Sequence, residues 1–314
     1  MSDIVTQKRP FRSGFVSIIG RPNAGKSTLL NALVGQKVAI VADKPQTTRV
    51  SIQGVLTLPP AERSDGAQIV FLDTPGIHRA DTPLNKRMME AVRAALEERD
   101  LLLFVADATL PFGEDDRRAL ALAVKTKTPA MLLLNKIDLL KDKSRLLGLI
   151  EQYKAAHDFA EYVPISAAKG DGLEELKELI VQRLPEGPAY FPPDHITDQP
   201  ERFLAAELIR EKVLLATRQE VPHSVAVMVD RWEETPRVTR VYATIRVERP
   251  GQKAIVIGSG GAMLKRIGSL ARREMEGLLG TRVYLDLHVR VEPGWRTRPA
   301  FLDALDWRTM AGGE

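Results

Sequence analysis

Gly20-Arg21-Pro22-Asn23-Ala24-Gly25-Lys26-Ser27-Thr28 follows directly on the apolar run Phe15 to Ile19 and opens a stretch of helical periodicity from Lys26 to Leu33. The glycines of this GxxxxGKS pattern let backbone N–H groups turn inward around a phosphate, and the helix N-terminus behind them adds positive potential. Lys26 has the reach for the β and γ phosphates of a nucleoside triphosphate, and the Ser27 hydroxyl can ligate Mg²⁺. Ligands of open α/β sheets sit at the carboxyl ends of the strands, so the same edge should carry the other site residues.

Strand-like runs recur at Phe15 to Ile19, Val50 to Leu56, Gln68 to Leu72, Leu101 to Ala106, Ala130 to Leu134 and Tyr162 to Ile165. Amphipathic stretches lie between several of them: Lys26 to Leu33, Leu84 to Glu97, Glu114 to Lys125, Ser144 to Ala156 and Leu173 to Arg183. Continuous apolar strands separated by helices predict an α/β domain over residues 1–184, its mostly parallel sheet covered on both faces. Residues 185–200 hold Pro185, Pro188, Pro192, Pro193 and Pro200, which remove donors and fix φ, so this stretch reads as a semi-rigid linker. Over 201–314 the pattern changes to a helix (Glu201 to Gln219), two strands (Ser224 to Trp232, Arg237 to Glu248), a glycine-rich turn, a helix (Ala262 to Leu279) and a strand (Arg282 to Val291). That order predicts a smaller α+β module.

Three further motifs fall at carboxyl ends of the predicted strands. Asp73-Thr74-Pro75-Gly76 offers a carboxylate to the Mg²⁺ shell and the Gly76 N–H to a γ phosphate. Asn135-Lys136-Ile137-Asp138 offers a carboxylate that can accept from both N1–H and the exocyclic amine of guanine, a pair adenine lacks, which selects GTP over ATP. Ser166-Ala167-Ala168-Lys169 offers a backbone N–H to the guanine O6. Between the phosphate loop and the second strand, Gln36 to Arg49 contains Pro45-Gln46-Thr47-Thr48-Arg49. Thr48, with Thr47 as the alternative, can ligate Mg²⁺ through its hydroxyl and sense the γ phosphate through its N–H.

Composition bounds the reading. The 314 residues carry 45 Lys and Arg against 41 Asp and Glu, so any anionic partner must be met by a local patch. There is no cysteine, which excludes disulfides, thiolate metal sites and cysteine nucleophiles. The N-terminal MSDIVTQKRPFRSGF lacks the apolar core of a signal peptide, and the strongly apolar runs fall far short of the roughly 20 residues a membrane span needs. A cytoplasmic location is expected.

GRPNAGKST, PQTTR, DTPG, NKID and SAAKG, in this order and spacing over residues 20 to 170, resemble the translation-factor-related GTPases, and among them the Era family of bacterial ribosome-assembly GTPases. The resemblance implies GTP and GDP as ligands, with Gly20 to Thr28, Asp73 to Ile77, Asn135, Lys136, Asp138, Ser166 and Ala167 around the nucleotide. It implies Mg²⁺ on Ser27, Thr48 and Asp73, with hydrolysis served by Lys26, Thr48, Asp73, Gly76 and Asn23. Switches of the Ras type position water with a glutamine after the DxxG glycine; here Ile77 stands in that place and cannot hydrogen-bond water. The adjacent His78 reads as a surface histidine. Asn23 matches an asparagine through which such enzymes hold a monovalent cation, so K⁺ is the second expected cofactor. Basal turnover is expected to be slow, on the order of 10⁻⁴ to 10⁻² per second.

In the second module, Ile255-Val256-Ile257 reads as an extended segment joined to a helix through Gly258-Ser259-Gly260-Gly261. This resembles a type II KH domain, whose GxxG loop meets nucleic-acid phosphates beside a groove for about four single-stranded bases. KH loops usually carry a basic residue between the glycines, whereas Ser259 and Gly260 occupy those places here, so charge must come from Lys265, Arg266, Arg272 and Arg273. From Arg240 to Arg298 twelve Lys or Arg face five Asp or Glu, the footprint phosphate binding requires. Leu204, Leu208, Val213 and Leu215 read as core, and Trp295 and Trp307 either pack on the domain or stack on bases. The resemblance implies the 3′ end of 16S ribosomal RNA and the 30S subunit as partners, a monomer, and small-subunit maturation as the process. Two other readings remain: an RNA-binding module with a degenerate nucleotide site, and a signalling GTPase bound peripherally to the inner face of the cell membrane through basic residues.

Overall fold

The computed structural model describes residues 10–44, 46–60, 66–77, 81–217, 221–222 and 224–307. The chain forms two compact units that are not contiguous in sequence: the first holds 1–38, 51–78 and 90–198, and the second holds 39–50, 79–89 and 199–314.

In the first unit β1 (Arg12–Gly20), β2 (Ile52–Leu58), β3 (Ala67–Asp73), β4 (Leu101–Asp107), β5 (Ala130–Asn135) and β6 (Glu161–Pro164) form one sheet in the order β2-β3-β1-β4-β5-β6. Every neighbouring pair is parallel except β2 and β3. All seven residues of β4 and all six of β5 are buried, as a sheet covered on both faces demands. The α-helices α1 (Lys26–Val34), α2 (Pro83–Leu96), α3 (Glu114–Ala123), α4 (Arg145–Ala156) and α5 (Leu173–Arg183) alternate with the strands, with residues 83–89 of α2 belonging to the second unit. Gly20 closes β1 at φ 150°, and a Cβ there would lie 2.3 Å from the Val105 carbonyl, so only glycine lets the chain turn out of the sheet beside β4.

The proline-rich segment contains neither helix nor strand, but it is strapped to the first unit. The Ile196 carbonyl accepts from the Val55 N–H of edge strand β2 at 2.8 Å, and the buried Gln68 side-chain oxygen accepts from the N–H groups of Tyr190 and Phe191 at 2.7 and 2.9 Å.

In the second unit α6 (Glu201–Ala216) precedes β7 (Ala226–Glu234), β8 (Val238–Val247), α7 (Pro250–Ile257), α8 (Ala262–Leu279) and β9 (Arg282–Val291). The sheet order is β7-β8-β9, antiparallel then parallel, and one face packs on α6 and α8 through Ile209, Val213, Val241, Ile245, Ile267 and Met275. Two expectations are corrected. Ile255 to Ile257 is the end of helix α7 rather than an extended segment: Pro250 sets the first turn, the Gln252 side-chain oxygen accepts the Glu248 and Arg249 N–H groups at 3.0 Å, and Gly258 at φ 72° ends the helix. The β-branched run reads as a strand only if those caps are ignored. Leu215, expected in the core, is 60% exposed, because the buried stripe of α6 runs through Leu208, Ile209, Val213 and Leu214. Gln219, the expected helix end, lies outside the described residues.

Residues 39–50 are built into this second unit. Ile40 joins its core, the Val41 N–H donates to Glu211 Oε1 at 2.8 Å, and the buried Arg210 donates to the Thr47 carbonyl while pairing with Glu207. The Arg49 guanidinium donates to the Val225 carbonyl at 2.8 Å and lies over the Trp295 ring, 5.3 Å from its centroid. Leu84 and Met88 of α2 pack with Trp295 and Leu302, and Arg87 pairs with Asp303 at 2.6 Å.

Candidate functional site

The carboxyl ends of β1, β3 and β5, with the loop after β6, bring Gly20 to Thr28, Asp73 to Ile77, Asn135 to Asp138 and Ser166-Ala167 to one edge of the first unit. Lys26 is buried and its ammonium donates to the carbonyls of Gly20 and Arg21 at 3.2 and 3.0 Å. Burial pushes it down to about 8 against the opposing pull of Asp73. Asp73 is fully buried at the end of β3, and burial pushes its carboxyl up to about 6 although Lys26, Ser27 and Thr74 favour the charged form. Asp73 Oδ2 accepts from the Ser27 hydroxyl at 2.5 Å, while Oδ1 is buried without a hydrogen-bond partner.

A buried carboxylate oxygen with no donor, beside a serine hydroxyl, is an arrangement suited to a hard cation. Both groups are hard oxygen donors of the kind Mg²⁺ takes, so the residues present fit that ion.

Thr74 is tied to β1 by its N–H and hydroxyl, both donating to the Ile18 carbonyl at 3.3 and 2.9 Å. Gly76 approaches the phosphate loop so closely that a Cβ would lie 3.0 Å from Pro22 Cα. Ile77 is 4% exposed. Asn23 holds φ 60°, a left-handed conformation that asparagine tolerates better than most residues. His78 and Pro45, singled out in the sequence, lie outside the described residues.

Asn135 links the two halves of the site. Its amide nitrogen donates to the Ala24 carbonyl at 2.8 Å and its oxygen accepts the Ala167 N–H at 2.9 Å. A Cβ on Gly25, at φ 97°, would lie 2.3 Å from that amide nitrogen, so Gly25 serves both the turn and this contact. Asp138 is exposed and accepts from the Ser166 hydroxyl at 2.7 Å. Sequence reading missed Asp107, which ends β4 on the same edge. It pairs with Lys136 at 2.7 Å, and although burial opposes ionisation, the hydrogen bonds from Lys136 and Thr109 hold it below the usual carboxylate range. The rule that located Asp73 and Asn135 would have found it, since a carboxylate follows the apolar run Leu101 to Ala106.

Thr48 belongs to the second unit. The neighbouring Thr47 hydroxyl donates within its own loop, to the Ala42 and Lys44 carbonyls at 3.1 and 2.6 Å.

The second unit carries its own groove. Gly258, Gly260 and Gly261 all have positive φ, and a Cβ on Gly258 would lie 2.7 Å from that of Met263. Lys265, Arg266, Arg272 and Arg273 are exposed on α8. Between α8 and β9 runs a groove of about 550 Å³ with Leu264, Leu285 and Leu287 at its floor and Lys265 and Arg272 at its rim. Trp295 is fully buried and donates to the Ser224 carbonyl at 3.0 Å, so of the two alternatives for this residue packing is the one observed.

Residues 15–136 match the family described as 50S ribosome-binding GTPase, and residues 220–296 match the KH domain family. The fold and site define a P-loop GTPase joined to a KH domain. GTPase Era of Geobacter metallireducens is 51% identical over 95% of this chain and 98% of its own length, and that of Leuconostoc citreum 50% over 95% and 97%. Among solved structures, an Aquifex aeolicus Era variant bound to GDP and AlF4⁻ is 42% identical with a TM-score of 0.89, covering 94% of this chain and 99% of that one. Era in complex with MgGDPNP and nucleotides 1506–1542 of 16S ribosomal RNA is 41% identical with a TM-score of 0.90, covering 95% and 99%. The chain belongs to the Era family of GTPases. Among the described residues, no helix is long and apolar enough to cross a membrane.

Proposed function

We propose that this chain is a GTP-hydrolysing switch that binds the 3′ end of 16S ribosomal RNA and assists maturation of the 30S subunit. The observation that carries the reading is the buried Asp73 carboxylate beside Ser27, with one oxygen lacking any donor, at the mouth of a phosphate loop. Gly20 to Thr28 cradle the phosphates, Lys26 turns from the loop carbonyls to the β and γ phosphates, and Asp138 reads guanine. Ser27, Asp73 and Thr48 would hold Mg²⁺, which would supply charge neutralisation at the phosphates. Gly76 and Thr48 sense the γ phosphate through their N–H groups. Asn23 would hold K⁺, which would supply the positive charge an arginine finger gives elsewhere.

The functional division follows the chain: GTPase domain 1–184, linker 185–200 and RNA-binding domain 201–314. Single-stranded RNA lies in the groove between α8 and β9, its phosphates on the Gly258 to Gly261 loop and on Lys265, Arg266, Arg272 and Arg273. The protein acts as a cytoplasmic monomer; co-sedimentation with anionic vesicles at physiological salt tests peripheral membrane contact. The deciding experiment is crosslinking to total RNA with GDP or a non-hydrolysable GTP analogue. Enrichment of the 16S 3′ end in the triphosphate state is expected, and nucleotide-independent or absent RNA would overturn the reading.

A further inference from the structure

The solvent face of the second unit's sheet carries chemistry that the groove does not use. Along β9 the alternate residues Val283, Leu285, Leu287 and Val289 pack inward, so Arg282, Tyr284, Asp286, His288 and Arg290 stand outward. The same alternation turns Arg240 and Tyr242 of β8 outward, and the register sets Arg240 opposite Tyr284. Tyr284 is 51% exposed, and its ring centroid lies 6.0 Å from that of Tyr242 with the planes at 58°. Arg231 of β7 lies over the Tyr242 ring, 5.6 Å from its centroid. Neither tyrosine hydroxyl has a hydrogen-bond partner among the described residues, so buried hydrogen bonding does not account for these aromatics.

Charge on this face is uneven. Glu233 pairs with Arg231 and lies 3.7 Å from Arg240, and the Asp286 carboxylate of β9 lies 3.6 Å from the His288 ring. Arg282 and Arg290, at opposite ends of β9, have no carboxylate within ion-pair distance among the described residues. Eight residues of strand separate them by about 26 Å, room for several nucleotides of extended chain. Two neighbouring rings, Tyr284 exposed and Tyr242 half-buried, framed by the unpaired guanidiniums of Arg282 and Arg290, suit unstacked bases with phosphates on either side; a duplex would offer the rings nothing to stack on.

We propose that this face is a second RNA platform, on which bases of a single-stranded segment stack on Tyr242 and Tyr284 while its phosphates meet Arg240, Arg282 and Arg290. The proposal rests on the reading that the second unit binds RNA, and adds a surface separate from the α8–β9 groove.

The test uses the full chain and a labelled RNA corresponding to nucleotides 1506–1542 of 16S ribosomal RNA, the segment bound in the related complex. Binding is followed by fluorescence anisotropy. Tyr284→Ala should weaken binding about 5- to 100-fold while Tyr284→Phe retains it. Arg282→Gln with Arg290→Gln should lower the slope of log affinity against log salt by about 1.4. Ultraviolet crosslinking of the unmodified protein should give adducts on peptides holding Tyr242 or Tyr284, a readout independent of any variant's folding. Absence of those adducts, or full affinity in Tyr242→Ala/Tyr284→Ala while Lys265→Gln/Arg272→Gln loses it, overturns the platform and leaves the groove reading standing. Equal loss in Tyr284→Phe and Tyr284→Ala overturns stacking, and capture of a protein in place of RNA by this face does the same. RNA binding that survives the groove variant and all platform variants alike would overturn both readings together.

Discussion

The Asn135 amide nitrogen donates to the Ala24 carbonyl at 2.8 Å, fastening the end of β5 to the phosphate loop across 111 residues of sequence. With its oxygen on the Ala167 N–H, one buried side chain holds three loops. Asn135→Ala leaves both backbone groups buried and unpaired, at about 1–3 kcal/mol each. The nucleotide-free protein should therefore melt several degrees lower, and GTP affinity should fall by at least tenfold, roughly the effect of 1.4 kcal/mol. Calorimetric melting of the nucleotide-free variant checks it, and an unchanged transition would show that the loops do not depend on this residue.

Asp73 supplies a pH dependence with a definite sign. Its carboxyl titrates at about 6 when folded against 3.8 as a free side chain, so the native protein keeps a proton that the unfolded chain has released. Stability from this group is full below about pH 4 and is lost as pH rises through about 6. Asp73→Asn keeps the hydrogen bond with Ser27 and removes the buried charge. Without nucleotide or Mg²⁺ it should be more stable than the parent by about 1–3 kcal/mol at pH 7, with the gain vanishing near pH 4, while GTP hydrolysis is lost. Denaturant titrations at the two pH values decide; a gain independent of pH would assign it to packing.

The sequence made the first unit legible because each motif follows a continuous apolar run, and strand ends are where α/β sheets expose polar groups. Asp107 obeyed the same rule and was passed over only because no familiar tetrapeptide surrounds it. Helix α7 was missed because Ile255-Val256-Ile257 has strand propensity, while the signals that make it a helix, Pro250 and the Gln252 cap, are single residues. Least legible was the packing of 39–50. Ile40, Thr47 and Arg49 find partners on α6 and beside Trp295, and nothing local in a polar loop announces partners more than 160 positions away.

That packing depends on Arg210, which is 2% exposed and joins the Thr47 carbonyl to Glu207. Arg210→Met leaves a carbonyl and a mostly buried carboxylate without their cation. A loss of about 2–4 kcal/mol is expected, in line with breaking one side of a buried pair. Hydrogen exchange should show amides of residues 40–48 opening ahead of the rest of the second unit. Uniform acceleration across that unit would instead mean that Arg210 supports α6 and not the loop.

Base selection should reside in Asp138. As carboxylate it accepts twice, which matches the N1–H and amino group of guanine and leaves a purine without them facing an unpaired charge. Asp138→Asn exchanges one acceptor for a donor, so GTP affinity should fall about 100-fold or more while xanthosine triphosphate, which presents a carbonyl at that position, gains. The Ser166 hydroxyl that now donates to Asp138 can serve the asparagine oxygen equally, so the loop should keep its form. Competition binding with the two nucleotides measures the exchange, and an unaltered preference would move guanine recognition elsewhere.

Hydrolysis must manage without a water-positioning side chain at residue 77, since Ile77 is apolar and 4% exposed. If Asn23 holds a cation at the phosphates, turnover in K⁺ should exceed that in Na⁺ by about tenfold or more, the scale on which one preorganised charge contact acts. Asn23 sits at φ 60°, so alanine there would add backbone strain and confuse the reading. Asn23→Gly keeps the conformation and deletes the amide. It should bring the K⁺ rate down to the Na⁺ rate without weakening GDP binding. Equal rates of the parent protein in the two salts would remove the cation from the mechanism and return the missing charge to a partner.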